Sequence, residues 1–145
     1  MERREFMAAL GAGAVVLAGG APGAAQAAEE AMSMHPAKYK ALQDTCLHCV
    51  QTANDCLRHC IGMLAMKDYS MTGCINTAYQ VAVSCGALQA LAAVNSPAVP
   101  LFAKAAAQVC EACQRECEKH LDTPECKACA ESCKACAAEC ARIAA

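Results

Sequence analysis

The stretch Pro124-Glu125-Cys126-Lys127-Ala128-Cys129-Ala130-Glu131-Ser132-Cys133-Lys134-Ala135-Cys136-Ala137-Ala138-Glu139-Cys140 decides the fold. Its five cysteines follow one another at steps of three, four, three and four. Steps of that size bring side chains onto one stripe of an α-helix, whereas a strand would alternate them. A bundle helix normally carries Leu or Ile on that stripe, so here sulfur takes the place of the usual core. Thr123 stands at the N-cap and Pro124 at the favoured first helical position.

The same pattern extends outward from this helix. Cys110, Cys113 and Cys117 follow at three and four, and Cys46, Cys49, Cys56 and Cys60 at three, seven and four. Cys74 and Cys85 lie eleven apart, close to three full turns. Lys67-Asp68-Tyr69-Ser70 ends the first helical stretch, with Ser70 placed to cap the second. Asn95-Ser96-Pro97 ends the second and sets Pro100 in the first turn of the third, and His120-Leu121-Asp122-Thr123-Pro124 ends the third. The predicted spans are about 37–66, 71–94, 98–120 and 124–143, with no run that reads as a strand. Short connections place neighbouring helices antiparallel, so the expected fold is all-α: an up-down-up-down four-helix bundle with a cysteine-lined core.

Composition narrows the function. The chain has 145 residues, 14 of them Cys, with no Trp, 3% aromatics, 57% apolar types and a net charge of −2. It is apolar enough to fold around a core and lacks the basic face a nucleic-acid partner would need. Residues 1–27 read as a twin-arginine signal peptide: Arg3-Arg4 with Phe6, an Ala/Gly/Val-rich stretch, and Ala25-Gln26-Ala27 as the cleavage site. Gly11, Gly13, Gly19, Gly20, Pro22 and Gly23 make that stretch a poor membrane anchor. Residues 28–36 form a polar linker and 37–145 the bundle. Export to the periplasm or another extracytoplasmic compartment is the expected destination, with no membrane attachment after cleavage.

Three readings of the cysteines compete. As plain core fillers they would be inferior to Leu and carry redox risk. As a disulfide scaffold of an exported structural protein they are badly spaced. Helical neighbours at i,i+3 or i,i+4 have Cβ atoms about 5–6 Å apart, whereas a disulfide wants about 3.8 Å. As metal ligands they fit well. CxxC occurs at 46–49, 110–113, 126–129 and 133–136, and CxxxC at 56–60, 113–117, 129–133 and 136–140, so two thiolates of one helix can meet one ion. Zinc and iron–sulfur clusters prefer loops that let four ligands converge. Cu(I) is soft, accepts two or three sulfur ligands, and at one ion per thiolate leaves the core neutral. Multiple Cu(I) ions per chain are therefore the expected cargo, bound by Cys46, Cys49, Cys56, Cys60, Cys74, Cys85, Cys110, Cys113, Cys117, Cys126, Cys129, Cys133, Cys136 and Cys140.

One end of the bundle carries softer and weaker ligands beside the thiols. Met63 continues the stripe of Cys56 and Cys60, while His59, Met63 and Met66 make a stripe next to it. Met71 opens the second helix, three residues before Cys74. With His120, these residues share one end, and thioether and imidazole would pass Cu(I) inward there. His48 lies off the stripe and is expected to be exposed. His35, Met32 and Met34 lie in the linker as possible loose ligands.

The run Asp55-Cys56-Leu57-Arg58-His59-Cys60, followed by Met63, Met66 and Met71, resembles the copper storage proteins, over nearly the whole chain beyond the signal. The resemblance implies a four-helix bundle filled with Cu(I), His and Met around its open end, and a homotetramer. Exported relatives in methane-oxidising bacteria are thought to hold copper for the membrane-bound methane oxygenase, which implies a copper-receiving enzyme as partner. No acid–base or nucleophile constellation stands out, so the chain reads as a store and not an enzyme. The alternatives are a copper chaperone or sensor holding one or two ions, and the disulfide-stabilised structural protein.

Overall fold

The computed structural model describes residues 34–145, of which all the regular structure is helical. The signal peptide read in 1–27, and linker residues 28–33 with Met32, lie outside the described residues. Four helices follow one another: α1 (Lys40–Ala65), α2 (Thr72–Ala93), α3 (Val99–Cys117) and α4 (Pro124–Ala144). A single 3-10 turn, Glu118–His120, extends α3. The predicted spans hold to within three residues at every end.

Sulfur contacts fix the direction of the helices. Cys46 meets Cys136 at 4.0 Å, Cys49 meets Cys133 at 3.8 Å and Cys56 meets Cys126 at 3.9 Å. As α1 advances by three and seven residues, α4 falls back by the same steps, so the two run antiparallel. Each helix packs chiefly against two neighbours, α1 on α2 and α4, α3 on α2 and α4, which is the ring of an up-down-up-down bundle. No helix among the described residues is long and apolar enough to cross a membrane.

The helix ends explain where the sequence reading slipped. Both α1 and α2 close on a left-handed residue, Lys67 at φ 65° and Asn95 at φ 53°. Lys67 and Asp68 donate their N–H groups back to Leu64 and Met63, and Asn95 and Ser96 do the same to Ala92 and Leu91. This paired closure satisfies carbonyls that the helix end would leave open. Ser70 does not cap α2: the helix starts at Thr72, with Met71 at the N-cap position and no side-chain cap, and the Ser70 N–H donates to Asp68 Oδ1 at 2.9 Å in the preceding turn. Thr123 and Pro124 occupy the expected positions, although the Thr123 hydroxyl makes no cap bond. α1 starts three residues later than expected, at Lys40, and the Lys38 N–H ahead of it donates to Asn95 Oδ1 at 2.8 Å.

Candidate metal centre

All fourteen cysteines are free and buried, each at 0% exposure. The 3/4 spacing thus places every thiol on the inward stripe, as the sequence predicts. The closest pair, Cys85 and Cys110, has its sulfurs 3.5 Å apart. Five sets have ligand atoms close enough to share an ion: Cys56/Cys60/Cys126, Cys56/Cys117/Cys129, Cys113/Cys129/Cys133, Cys49/Cys85/Cys110/Cys136 and Cys46/Cys136/Cys140. Cys56 and Cys129 chain the first three sets together and Cys136 the last two, and the 3.8 Å contact of Cys133 with Cys49 links the two groups into one lattice. Such sites offer thiolate alone, in threes and fours, which selects a soft ion.

The protons of this lattice are unevenly held. Burial, then the charge of Cys56, pushes the Cys60 thiol up to about 12. Burial followed by the charges of Cys56 and Cys60 also raises Cys126. At Cys74 a bond to Cys117 lowers the value, but Cys56 and burial outweigh it and carry the thiol to about 11. Deeper in, hydrogen bonds to Cys110 and then Cys136 bring Cys85 down to about 5. Bonds to Cys136 and Cys46 bring Cys140 down to about 4. A thiolate surrounded by S–H donors is stabilised, and its donors hold their protons in turn.

The two ends of the lattice differ. Where α1 and α3 end and α2 and α4 begin, Met71 Sδ lies 3.7 Å from Cys60 Sγ and is buried. Beside it a depression of about 420 Å³ is lined by Arg58, His59, Gly62, Met63, Met66 and Glu125. Met63 is half-buried against the core, whereas Met66 is 69% exposed and sits at the rim. The His59 Nε2 is buried with no hydrogen-bond partner, and its Nδ1 is 3.8 Å from Glu125 Oε2. An imidazole nitrogen left without a partner is a ring position that a metal can take, its lone pair being free in the tautomer with the proton on Nδ1. Across the mouth, the charge of His120 helps, after the hydrogen bonds of Ser70, to lower the Asp68 carboxyl. His120 is thus at the expected end but outside the depression. His48 is exposed, as expected, and Met34 is 90% exposed.

No spacing in the sequence assigns Arg58, Gly62, Glu125 or Asp68 a place at this end. Glu125 reaches His59 only because α4 begins beside the end of α1, a register that no local spacing displays. The signal available was the carboxylate next to Cys126, in the first turn of a cysteine helix. At the opposite end Leu42, Leu88 and Val99 are wholly buried, with Ala92 and Ala103 between them. These side chains offer no ligand atom, so among the described residues hydrocarbon caps the lattice there, whereas thioether and imidazole flank it at the His/Met end.

A match to the copper storage protein family covers residues 35–145. The chain belongs to the copper storage protein family. Among solved structures of its relatives, the Cu(I)-bound copper storage protein BsCsp3 superposes with a TM-score of 0.68 at 31% identity, over 73% of this chain and 97% of that one. The copper storage protein Ccsp from Streptomyces lividans, loaded with 10 copper equivalents, gives a TM-score of 0.64 at 29% identity, over 71% and 80% of the two chains. A second structure of a copper storage protein from Streptomyces lividans, described as cytosolic and holding five coppers, gives 0.63 at 29% identity, over 71% and 88%. A curated relative, the cysteine-rich protein YhjQ of Bacillus subtilis (strain 168), is 31% identical over 89 residues, 61% of this chain and 80% of that one. The match to the copper storage family thus spans the whole helical part of the chain.

Proposed function

We propose that this copper storage protein sequesters many Cu(I) ions along its axis, bound by the fourteen core cysteines. The observation that carries the reading is the continuous lattice of buried thiols, in overlapping threes and fours, beginning at Met71 and ending at Cys140. Each ion brings one positive charge and displaces one thiol proton, so a core with as many ions as thiolates stays neutral in a low-dielectric interior. An anaerobic titration against a Cu(I) chelator tests it. Saturation on the order of ten or more ions per chain is expected. Saturation at one to four would replace storage with a chaperone or sensor.

His59, Met63, Met66 and Met71 serve as the entrance, supported by the partnerless His59 Nε2 and the Met71–Cys60 contact. Bound copper and no reaction is the product of this chain, which acts as a store and not an enzyme. The Arg3-Arg4 segment supports export of the folded protein by the twin-arginine route, in contrast to the relative described as cytosolic. Fractionation with and without Arg3→Lys/Arg4→Lys checks this: the double variant is expected to stay inside the cell. Assembly as a homo-oligomer and transfer to a copper-requiring enzyme complete the reading, and sedimentation of the purified protein tests the first.

A further inference from the structure

The thiol lattice has a neck. On the mouth side, seven cysteines form one connected set, joined through Cys56, Cys117 and Cys113. Beyond them six form a second set, joined through Cys136 and Cys85. Cys133 belongs to neither alone. It shares a candidate site with Cys113 and Cys129 on the mouth side, and its sulfur lies 3.8 Å from Cys49 on the inner side. Cys133 also hydrogen-bonds Cys110 of the inner set, so among the described residues the sulfur–sulfur bonds that join the two sets all run through Cys133.

The cause lies in the spacing. The seven-residue step from Cys49 to Cys56 on α1 is filled at the core by Ala53, and the eleven-residue step from Cys74 to Cys85 on α2 by Ala78 and Val81, all wholly buried. The contacts of Met71 with Cys60 at one end and of Gln43 with Ala92 at the other set the register of these helices. That register brings both gaps to the same level, where only α3 and α4 present sulfur. The far end is sealed by Leu42, Leu88 and Val99.

We infer that Cys133 is the transfer residue through which Cu(I) passes from the mouth-side thiols to the inner six. This rests on the storage reading above. Each step is a ligand exchange: the incoming thiol forms its S–Cu bond and gives its proton to the sulfur that releases the ion, so charge and protons balance and no oxidation occurs. Where thiols are 3.5–4.0 Å apart, an ion can be held by both during the exchange. Removing the Cys133 sulfur takes away the one thiol that, among the described residues, bonds to both sets.

Anaerobic loading of Cys133→Ala, followed by chelator competition over time, reads the effect. The mouth-side set should fill at the wild-type rate and the inner set at least about tenfold more slowly, while the capacity reached after prolonged incubation falls by about one or two ions. Cys140→Ala, which removes a thiol from the blind end, should lose a similar capacity with no slow phase. Equal filling rates in Cys133→Ala and wild type would overturn the role. Ala53→Cys supplies a gain-of-function arm that does not depend on the first variant folding. A thiol one turn from both Cys49 and Cys56 should speed inner filling in the wild type and restore it in Cys133→Ala, and no acceleration in a folded Ala53→Cys protein would also overturn it. A wild-type protein that saturates at one to four ions would overturn the storage reading itself, which full wild-type loading with an unaffected Cys133→Ala would leave standing.

Discussion

The two ends of the bundle are made from the same inward stripe of the same four helices, with different atoms on it. At the far end Leu42, Leu88 and Val99 fill the space with branched hydrocarbon, and at the mouth Cys60, Cys126 and Met71 fill it with sulfur. Both sets are buried and both exclude water, so both hold the helices together. Only one can also bind an ion. The contrast shows that core packing and cargo binding are separable here: thiol and thioether pack nearly as hydrocarbon does and add a ligand atom. The sealed end supplies stability without chemistry, and the mouth trades some packing for access.

Four measurements would break or sharpen that contrast. The largest effect is expected at the sealed end, where Leu42→Ala should cost the metal-free protein about 2–5 kcal/mol in urea unfolding. Copper capacity should be unchanged, and a smaller cost would mean that the seal does not anchor the fold. At the mouth, the His59→Ala/Met63→Ala double variant should slow loading several-fold with capacity intact. A loss of capacity equal to the loss of rate would make these residues storage ligands and erase the distinction between entrance and core.

The third measurement uses pH. The Cys60 and Cys74 thiols stand at about 12 and about 11 in the folded chain, above the ordinary value of 9.0. Folding therefore holds protons that the unfolded chain would release, and the stability they supply is complete below pH 9 and lost as pH rises from 9 towards 12. The melting temperature of the metal-free protein should fall across that window. Cys60→Ala, which removes the mouth thiol, should flatten the fall, and an unchanged slope would remove Cys60 from the account. The smallest effect concerns the turn that closes the mouth. Lys67 adopts φ 65°, a conformation that costs a side chain about 1 kcal/mol and glycine almost nothing. Lys67→Gly should stabilise the protein by about 0.5–1 kcal/mol in the same urea assay.

The helices, their antiparallel order and the burial of every thiol could be read from the 3/4 spacing, because that spacing has only one way to bury its sulfur. Met71 could be read from its position ahead of Cys74. Glu125 and Asp68 could not, since each meets its histidine across a helix boundary and the distance depends on tertiary register. The neck was half legible. The long steps on α1 and α2 are visible in the chain, but their coincidence at one level follows only when the two helices are aligned. Ser70 misled because α2 begins only at Thr72, which puts Met71 at the N-cap and leaves Ser70 one position outside it.

An entrance at the His/Met end alone would have a consequence for time and not only for space. A tube filled and emptied through one end returns its contents in reverse order, as a stack does. Protein loaded first with one copper isotope and then with another should release the second before the first, for as long as exchange along the lattice is slower than exit. The hydrocarbon seal of Leu42, Leu88 and Val99 would then give the protein a record of the sequence in which its metal arrived.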